Sequence, residues 1–345
     1  MDTPFGSVLD VDGIGVGHHR RVGRGWQTGT SVIVCRSGAV PGVDVRGGGP
    51  GTRETDALRP ENLVQRVHAV CLTGGSAYGL AAADGVMAEL EADGLGFPIG
   101  TGVVPVVPTA VIFDLGRGGR FANRPDADFG RRAARAALTG RTPSAWGSVG
   151  AGTGARSGGL QGGVGTASRR VALPGELFDD GIGTEVTVAA IAVVNSNGSA
   201  IDPSTGLPWE PSGLRLRRPS AAERRAAREA ATLGRAPALN TTIGVIVTDA
   251  ALDKAEASKV ASVAHDGMAR AIRPAHSMTD GDTVFTLATG TRRLPSHPHR
   301  IGALNPLLDA AAHVFAAACT HAVVAATPVG DVPSWSSLCP SAMIA

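Results

Sequence analysis

The sequence lacks most of the residue patterns by which common functional classes are detected. Its four cysteines lie far apart and form no CxxC pair, which argues against a zinc ribbon and against a disulfide framework. No GxxxxGK[ST] phosphate-binding loop and no GxSxG nucleophile turn occur, and no glycine run has dinucleotide-binding spacing. The nine histidines show no HExxH or other ligand spacing. We therefore predict neither a metal ion nor an organic cofactor.

An excess of charge of either sign is also missing, since 32 basic residues face 30 acidic ones. Nucleic acid is not an expected partner, because phosphate binding needs a concentrated basic face. Residues 1–13 contain three aspartates and no apolar core, unlike a signal peptide. The longest apolar run, 310–326, is mostly alanine and is interrupted by polar residues. We predict that it is too short and too weakly hydrophobic to cross a membrane, and we expect a cytoplasmic protein.

Aromatic residues are scarce (four Trp, one Tyr, eight Phe), whereas glycine is abundant, with 48 of 345 residues. The glycines alternate with β-type apolar runs, which is typical of a packed fold with many tight turns. Strands are predicted at 67–72, 188–194, 241–248 and 284–288, with short strands in the first 60 residues. Helices are predicted at 81–90, 126–138 and 221–232, and from Asp253 and Asn305 onwards. This mixture predicts an α+β fold with helices covering packed sheets, in a single domain 1–345.

The sharpest local signal is the junction between Asn240 and Thr241. A proline-containing stretch, 233–239, is predicted to be an exposed tether that ends at this junction, directly before an apolar strand. A threonine hydroxyl at such a place can attack the preceding carbonyl, and water then cleaves the resulting ester. The product is a threonine with a free α-amine, whose ordinary pKa near 8 makes it a base beside its own hydroxyl.

A second signal is the pair of carboxylates in Asp280-Gly281-Asp282, where a loop enters the next predicted strand. Two carboxylates separated by one glycine can face the same pocket and orient the amine and the hydroxyl of Thr241. The same three residues also form ordinary Asp-Gly turns, so the pair alone does not decide between these interpretations.

At these residues the sequence resembles the L-aminopeptidase/D-esterase family, which includes β-peptidyl aminopeptidases and the nylon-oligomer (6-aminohexanoate) hydrolase. The resembling segments are 45–56, 72–80, 104–115, 150–155, 194–198, 240–242, 265–274 and 280–285. The resemblance implies the four-layer α/β/β/α sandwich of N-terminal-nucleophile hydrolases. It also implies self-cleavage between Asn240 and Thr241 into an α chain (1–240) and a β chain (241–345), which stay together in a homo-oligomer.

The resemblance also implies roles for individual residues. Thr241 corresponds to the nucleophile, and Asn195 to an asparagine that holds the catalytic centre or the oxyanion. Asp280 and Asp282 correspond to the acidic pair of the nylon-oligomer branch. The expected partner is a small peptide or amide substrate.

Two positions depart from the family pattern. Gly159 stands where the nylon-oligomer branch has a catalytic-centre lysine, and Phe113 stands where several members have a tyrosine near the reacting carbonyl. Loss of one oxyanion donor typically lowers the rate by about 10²–10³. Slow catalysis, a different substrate, and replacement by another group such as Arg156 all remain open.

Three functional hypotheses follow. The first is an aminopeptidase that cleaves short peptides, amino-acid amides or esters through an acyl-enzyme on Thr241. The second is an acyltransferase of the ornithine acetyltransferase type, by analogy of fold. The third is a non-catalytic scaffold, which is motivated by Gly159 and Phe113.

Overall fold

The computed structural model describes residues 5–140, 145–234 and 239–343. The strands are β1 (Ile14–Gly23), β2 (Trp26–Val45), β3 (Thr52–Arg53), β4 (Val67–Thr73), β5 (Phe97–Ile99), β6 (Gly102–Val104), β7 (Thr109–Val111), β8 (Arg156–Ser157), β9 (Leu160–Gln161), β10 (Gly163–Leu173), β11 (Thr184–Asn195), β12 (Thr241–Ala250) and β13 (Thr283–Arg292). The helices are α1 (Ser76–Gly79), α2 (Ala82–Ala92), α3 (Ala127–Thr139), α4 (Ala221–Gly234), α5 (Lys254–Ala271), α6 (Arg300–Val324) and α7 (Trp335–Leu338).

Strand β2 belongs to two sheets. Its last residues pair with β13, which completes sheet I in the order β10-β11-β12-β13-β2. Its first part pairs with β1 and β4, and sheet II runs β1-β2-β4-β7-β3. In sheet I the neighbours β12 and β13 are parallel, whereas the other pairs are antiparallel.

The length of β2 contradicts the expectation of short strands in the first 60 residues. The glycines inside it do not end the strand but allow other backbone segments to approach. A Cβ at Gly42 would lie 2.3 Å from the backbone of Ala257 in α5, and one at Gly29 would lie 2.2 Å from the carbonyl oxygen of Gly150. These glycines therefore permit close packing rather than turns.

Three apolar cores separate four layers. Between 188 and 194, the even-numbered residues of β11 pack with α5 and α6, whereas the odd-numbered ones pack in the core between the sheets. This alternation explains why the segment is apolar throughout. On its other face sheet II contributes Val32, Val34, Ala69 and Cys71 to a core with α2 and α3. The order α5/α6, sheet I, sheet II, α2/α3 confirms the α/β/β/α sandwich.

Local capping signals place two helices as predicted. The Asp126 side chain accepts hydrogen bonds from the backbone at the start of α3, and Gly140 ends that helix with a φ of 61°. Asp253 and Glu256 form the predicted capping box at the start of α5.

The predicted start of the last long helix was wrong. Helix α6 begins at Arg300, and Pro306 lies inside it instead of at its first turn. The turn before the proline is anchored to α5, because Arg300 Nε donates a 2.8 Å hydrogen bond to Glu256 Oε1. With 25 residues and a mean hydropathy of 1.5 in its most apolar window, α6 is long and apolar enough to cross a membrane, contrary to prediction. However, 78% of its most apolar window is buried inside the protein, as in a core helix.

Candidate active site

Thr241 and Asn195 lie side by side at one end of sheet I. They are register partners on the antiparallel strands β12 and β11, so their Cα atoms are about 5 Å apart and their side chains share a face. This is the face of the core between the sheets, because Ile243 and Val193, two residues along each strand, belong to that core. Asn195 is fully buried and Thr241 is 5% exposed. Two residues 46 positions apart in the chain are thereby brought together as predicted.

The Asn240–Thr241 peptide lies against a single backbone donor. The Thr241 hydroxyl contacts the carbonyl oxygen of Asn240. The Gly281 N–H donates both to that carbonyl oxygen, at 3.0 Å, and to Thr241 Oγ1, at 3.2 Å. One donor thus polarises the carbonyl and fixes the hydroxyl beside it. Sequence reasoning treated Gly281 as a spacer between two carboxylates and missed this role.

Asp282 holds the residue that follows the candidate nucleophile. Its Oδ1 accepts a 2.7 Å hydrogen bond from the Thr242 N–H. Its Oδ2 accepts from the backbone N–H of His276 at 3.1 Å and lies 2.8 Å from His276 Nδ1. Asp282 as a whole is 2% exposed, so these bonds hold its side chain in place and fix the start of β12.

Asp280 is bonded within its own turn. Its Oδ2 accepts from the Ser277 backbone N–H at 2.9 Å and from the Ser277 hydroxyl at 2.6 Å. Its Oδ1 is buried and has no hydrogen-bond partner among the described residues. The structure therefore brings Asp280 and Asp282 to the Thr241 junction, but the described contacts of the Thr241 hydroxyl come from the backbone of Asn240 and Gly281.

Asn195 is held by three polar groups. Its Oδ1 accepts hydrogen bonds from the Arg156 backbone N–H at 3.0 Å and from Arg117 Nη1 at 2.5 Å. Its Nδ2 donates to the Phe113 carbonyl oxygen at 3.3 Å. These contacts orient the amide so that Nδ2 keeps a second hydrogen for another acceptor.

The tether before the junction is only partly described, because residues 235–238 lie outside the described ranges. Its described ends, Leu233 and Leu239, are both exposed, in agreement with the prediction. Within the described ranges, no three His, Cys, Asp or Glu side chains are grouped so that they could hold a metal ion.

Comparisons with known proteins identify the family of this chain. The model of peptidase family S58 matches residues 6–333. The chain belongs to peptidase family S58. It is 47% identical to an uncharacterized aminopeptidase of Mycobacterium tuberculosis, over 97% of this chain and 98% of that protein. It is 31% identical to the 6-aminohexanoate-oligomer endohydrolase of Kocuria sp., over 84% of this chain and 77% of that protein.

Solved structures show the same fold. A Burkholderia sp. β-aminopeptidase aligns with a TM-score of 0.65 at 25% identity, over 100% of this chain and 92% of that one. The L-aminopeptidase D-Ala-esterase/amidase of Ochrobactrum anthropi, described as a variant of the N-terminal-nucleophile hydrolase fold, aligns with a TM-score of 0.67 at 20% identity. That alignment covers 96% of this chain and 90% of the other. The family resemblance and the enzyme class, an aminopeptidase-type hydrolase of peptide bonds, are thus confirmed.

The two departures from the family pattern have different structural settings in this S58 peptidase. Gly159 has a φ of +90°, and a Cβ there would lie 2.1 Å from the carbonyl oxygen of Ala231 in α4. No side chain fits at this position unless α4 moves. Phe113 is half-buried and contributes its backbone carbonyl to Asn195.

Arg117 is a site residue that the sequence did not reveal. Arg117 is half-buried. Burial lowers its pKa to about 10, against an opposing effect of Asp114, and the nearby charge of Arg156 lowers it further. Burial in turn raises the pKa of Asp114 to about 6. The resembling segment 104–115 ends two residues before Arg117, so extending that match was the one available signal.

Proposed function

We propose that this S58 peptidase cuts its own chain between Asn240 and Thr241 and then uses Thr241 as the nucleophile of an aminopeptidase. The observation that carries the proposal is the shared Gly281 N–H, which contacts both the Asn240 carbonyl oxygen and the Thr241 hydroxyl. A nucleophile held against the carbonyl it attacks, next to a preorganised donor, is the arrangement that acyl transfer requires.

In the self-cleavage step, Thr241 Oγ1 attacks the carbonyl carbon of Asn240. The negative charge that develops on the Asn240 oxygen is stabilised by the Gly281 N–H. The C–N bond then breaks, the Thr241 nitrogen takes up the hydroxyl proton and becomes an amine, and Asn240 is left as an ester on Thr241. Water hydrolyses this ester and releases a carboxylate on Asn240 and a free hydroxyl on Thr241.

In the peptidase step, the free α-amine of Thr241 accepts the proton of its own hydroxyl as Oγ1 attacks the substrate carbonyl. The second Nδ2 hydrogen of Asn195, beside Thr241, donates to the substrate oxyanion. The amine passes the proton to the leaving nitrogen, and water then cleaves the acyl-enzyme. The expected substrates are short peptides, amino-acid amides or esters. The named relatives add β-amino and ω-amino amides to the classes worth screening. We further propose that the enzyme is a cytoplasmic homo-oligomer.

The decisive experiment compares Thr241→Ala with Thr242→Ala by intact mass spectrometry and N-terminal sequencing. The two threonines are neighbours on β12, but only Thr241 lies on the face of Asn195, and an alanine at 242 keeps the N–H that Asp282 binds. The wild type and Thr242→Ala are expected to yield a small fragment, which begins Thr-Thr-Ile in the wild type. Thr241→Ala is expected to remain one chain and to hydrolyse no amide.

Three results would contradict the proposal. Cleavage or amidase activity in Thr241→Ala would show that another residue is the nucleophile. A wild-type protein that stays uncut and hydrolyses nothing would favour the scaffold hypothesis. If the wild type is cut but turns over only when an amine acceptor is added, the enzyme is an acyltransferase rather than a hydrolase.

A further inference from the structure

Two arginines converge on Asn195 from different parts of the chain. Arg117 donates its Nη1 to Asn195 Oδ1 at 2.5 Å and also to the carbonyl oxygen of Gly154. Arg156 approaches the same Oδ1 with its backbone N–H at 3.0 Å. The charge of Arg156 is also near enough to lower the pKa of Arg117. The guanidinium of Arg117 and the backbone of Arg156 are thus both bonded to the residue that pairs with Thr241.

Neither guanidinium is neutralised by a contact. Among the described residues, no carboxylate oxygen lies within 4.0 Å of either one, whereas Arg135, Arg270 and Arg300 each pair with a glutamate. The charge of Asp114 raises the pKa of Arg117 against the effect of burial. Asp114 Oδ1 accepts a 2.7 Å hydrogen bond from the Gly75 N–H, and its Oδ2 has no hydrogen-bond partner among the described residues. Burial lowers the pKa of Arg156.

The Arg156 side chain also has an unmet donor. Its Nε is enclosed by protein and has no hydrogen-bond partner among the described residues. Buried donors are nearly always paired, so an enclosed N–H without a partner points to an acceptor that is supplied from outside. A planar guanidinium with free nitrogens is suited to a carboxylate, which it can bind through two parallel hydrogen bonds.

We propose that Arg117 and Arg156 form a carboxylate-binding site beside Thr241, and that the preferred substrate is a dipeptide with a free C-terminal carboxylate. The inference rests on the proposed function of Thr241. Arg117 Nη1 contacts Asn195, whose Cα atom lies about 5 Å from that of Thr241, so the site is on the Asn195 side of the reacting carbonyl. In a dipeptide, the C-terminal carboxylate is separated from the scissile nitrogen by a single Cα.

Arg156 offers the cleaner test of the two. Arg117 anchors Asn195 through its side chain, so its removal would disturb the catalytic geometry directly. Arg156 anchors Asn195 only through its backbone, which Arg156→Gln leaves in place. Arg156→Lys keeps the charge without the fork of donors. Arg169→Gln removes a half-exposed arginine on β10 that lies 3.8 Å from Asp309, and serves as the matched control.

The experiment measures kcat/KM of the self-cleaved enzyme for alanyl-alanine and for its C-terminal amide. We expect the wild type to prefer the free acid by about tenfold or more, the range of one charge-assisted pair. Arg156→Gln should lose about tenfold more on the acid than on the amide, chiefly through KM. The loss on the acid in Arg156→Lys should lie between the values for the wild type and for Arg156→Gln. Arg169→Gln should keep the wild-type ratio of kcat/KM between acid and amide.

Equal rates on acid and amide, or equal losses on both in Arg156→Gln, would overturn the carboxylate site while leaving Thr241 as the nucleophile. If the protein hydrolyses nothing, the proposed function fails instead. Calorimetric titration with the same two compounds then tests the site alone. Tighter binding of the acid supports it, and equal or absent binding overturns it.

Discussion

Replacing Asp282 by asparagine is expected to destabilise the uncut protein by about 2–4 kcal/mol. Three donors reach the two oxygens of Asp282: the Thr242 N–H on one side, and the backbone N–H and Nδ1 of His276 on the other. An amide has a single oxygen, so its NH₂ group must face a donor on one side. One hydrogen bond to a buried charge is then lost, worth about 1.5–3 kcal/mol, and the remaining bonds weaken to neutral strength.

The neighbouring carboxylate provides the matched comparison. The Oδ2 of Asp280 accepts both bonds from Ser277, whereas its Oδ1 accepts none among the described residues. In Asp280→Asn the NH₂ group can take the unpartnered position, so we expect a loss of only about 1 kcal/mol.

Both substitutions are best measured by urea unfolding in a Thr241→Ala background, where every variant is a single chain. The reasoning is refuted if Asp280→Asn destabilises the protein as much as Asp282→Asn does. With Thr241 intact, Asp282→Asn should also slow the appearance of the small fragment on a denaturing gel, because the start of β12 loses its anchor.

Two further predictions concern residues away from the Asp280–Asp282 turn. Gly159→Ala should destabilise the protein by more than 2 kcal/mol, since its Cβ would meet the Ala231 carbonyl, whereas Gly181→Ala, also at positive φ but with open space, should lose only about 1 kcal/mol. Thermal unfolding compares the two, and equal losses would contradict the steric argument. Burial lowers the pKa of His18 to about 4, so the unfolded chain binds a proton that the folded one does not between about pH 6.5 and 4. Stability should fall on acidification by about 1.4 kcal/mol per pH unit from this residue, and His18→Gln should remove that part of the slope in urea titrations.

Local chemistry made much of the fold predictable. Apolar residues on both faces indicate strands such as β11 and β12. Side chains that cap the first turn indicate the helices α3 and α5. The Asn240–Thr241 junction was likewise detectable in the sequence, because these two polar residues stand at the start of a buried strand.

Contacts between distant segments were not predictable in the same way. Arg117 bonds Asn195, which is 78 positions away. Arg117 lies in the loop after β7 of sheet II, whereas Asn195 ends β11 of sheet I, so the contact depends on how the two sheets pack. Gly281 acts through its backbone N–H, a group that every residue except proline carries, so the residue type does not reveal this role. The 20-residue β2 was divided in prediction because its glycines look like turns until the neighbouring backbone is known.

The strand order of sheet I has a consequence for any protein cut before Thr241. β12 and β13 lie between β11 and β2, which both precede the cut, so the small fragment occupies the interior of a sheet built by the large one. The hydrogen bonds between strands stay in place when the peptide bond is broken, and the pieces separate only by unfolding. Unfolding, however, would release two chains instead of one. Reassembly then becomes a bimolecular reaction, and the apparent stability of the cut form should rise with protein concentration, whereas that of the uncut form should not.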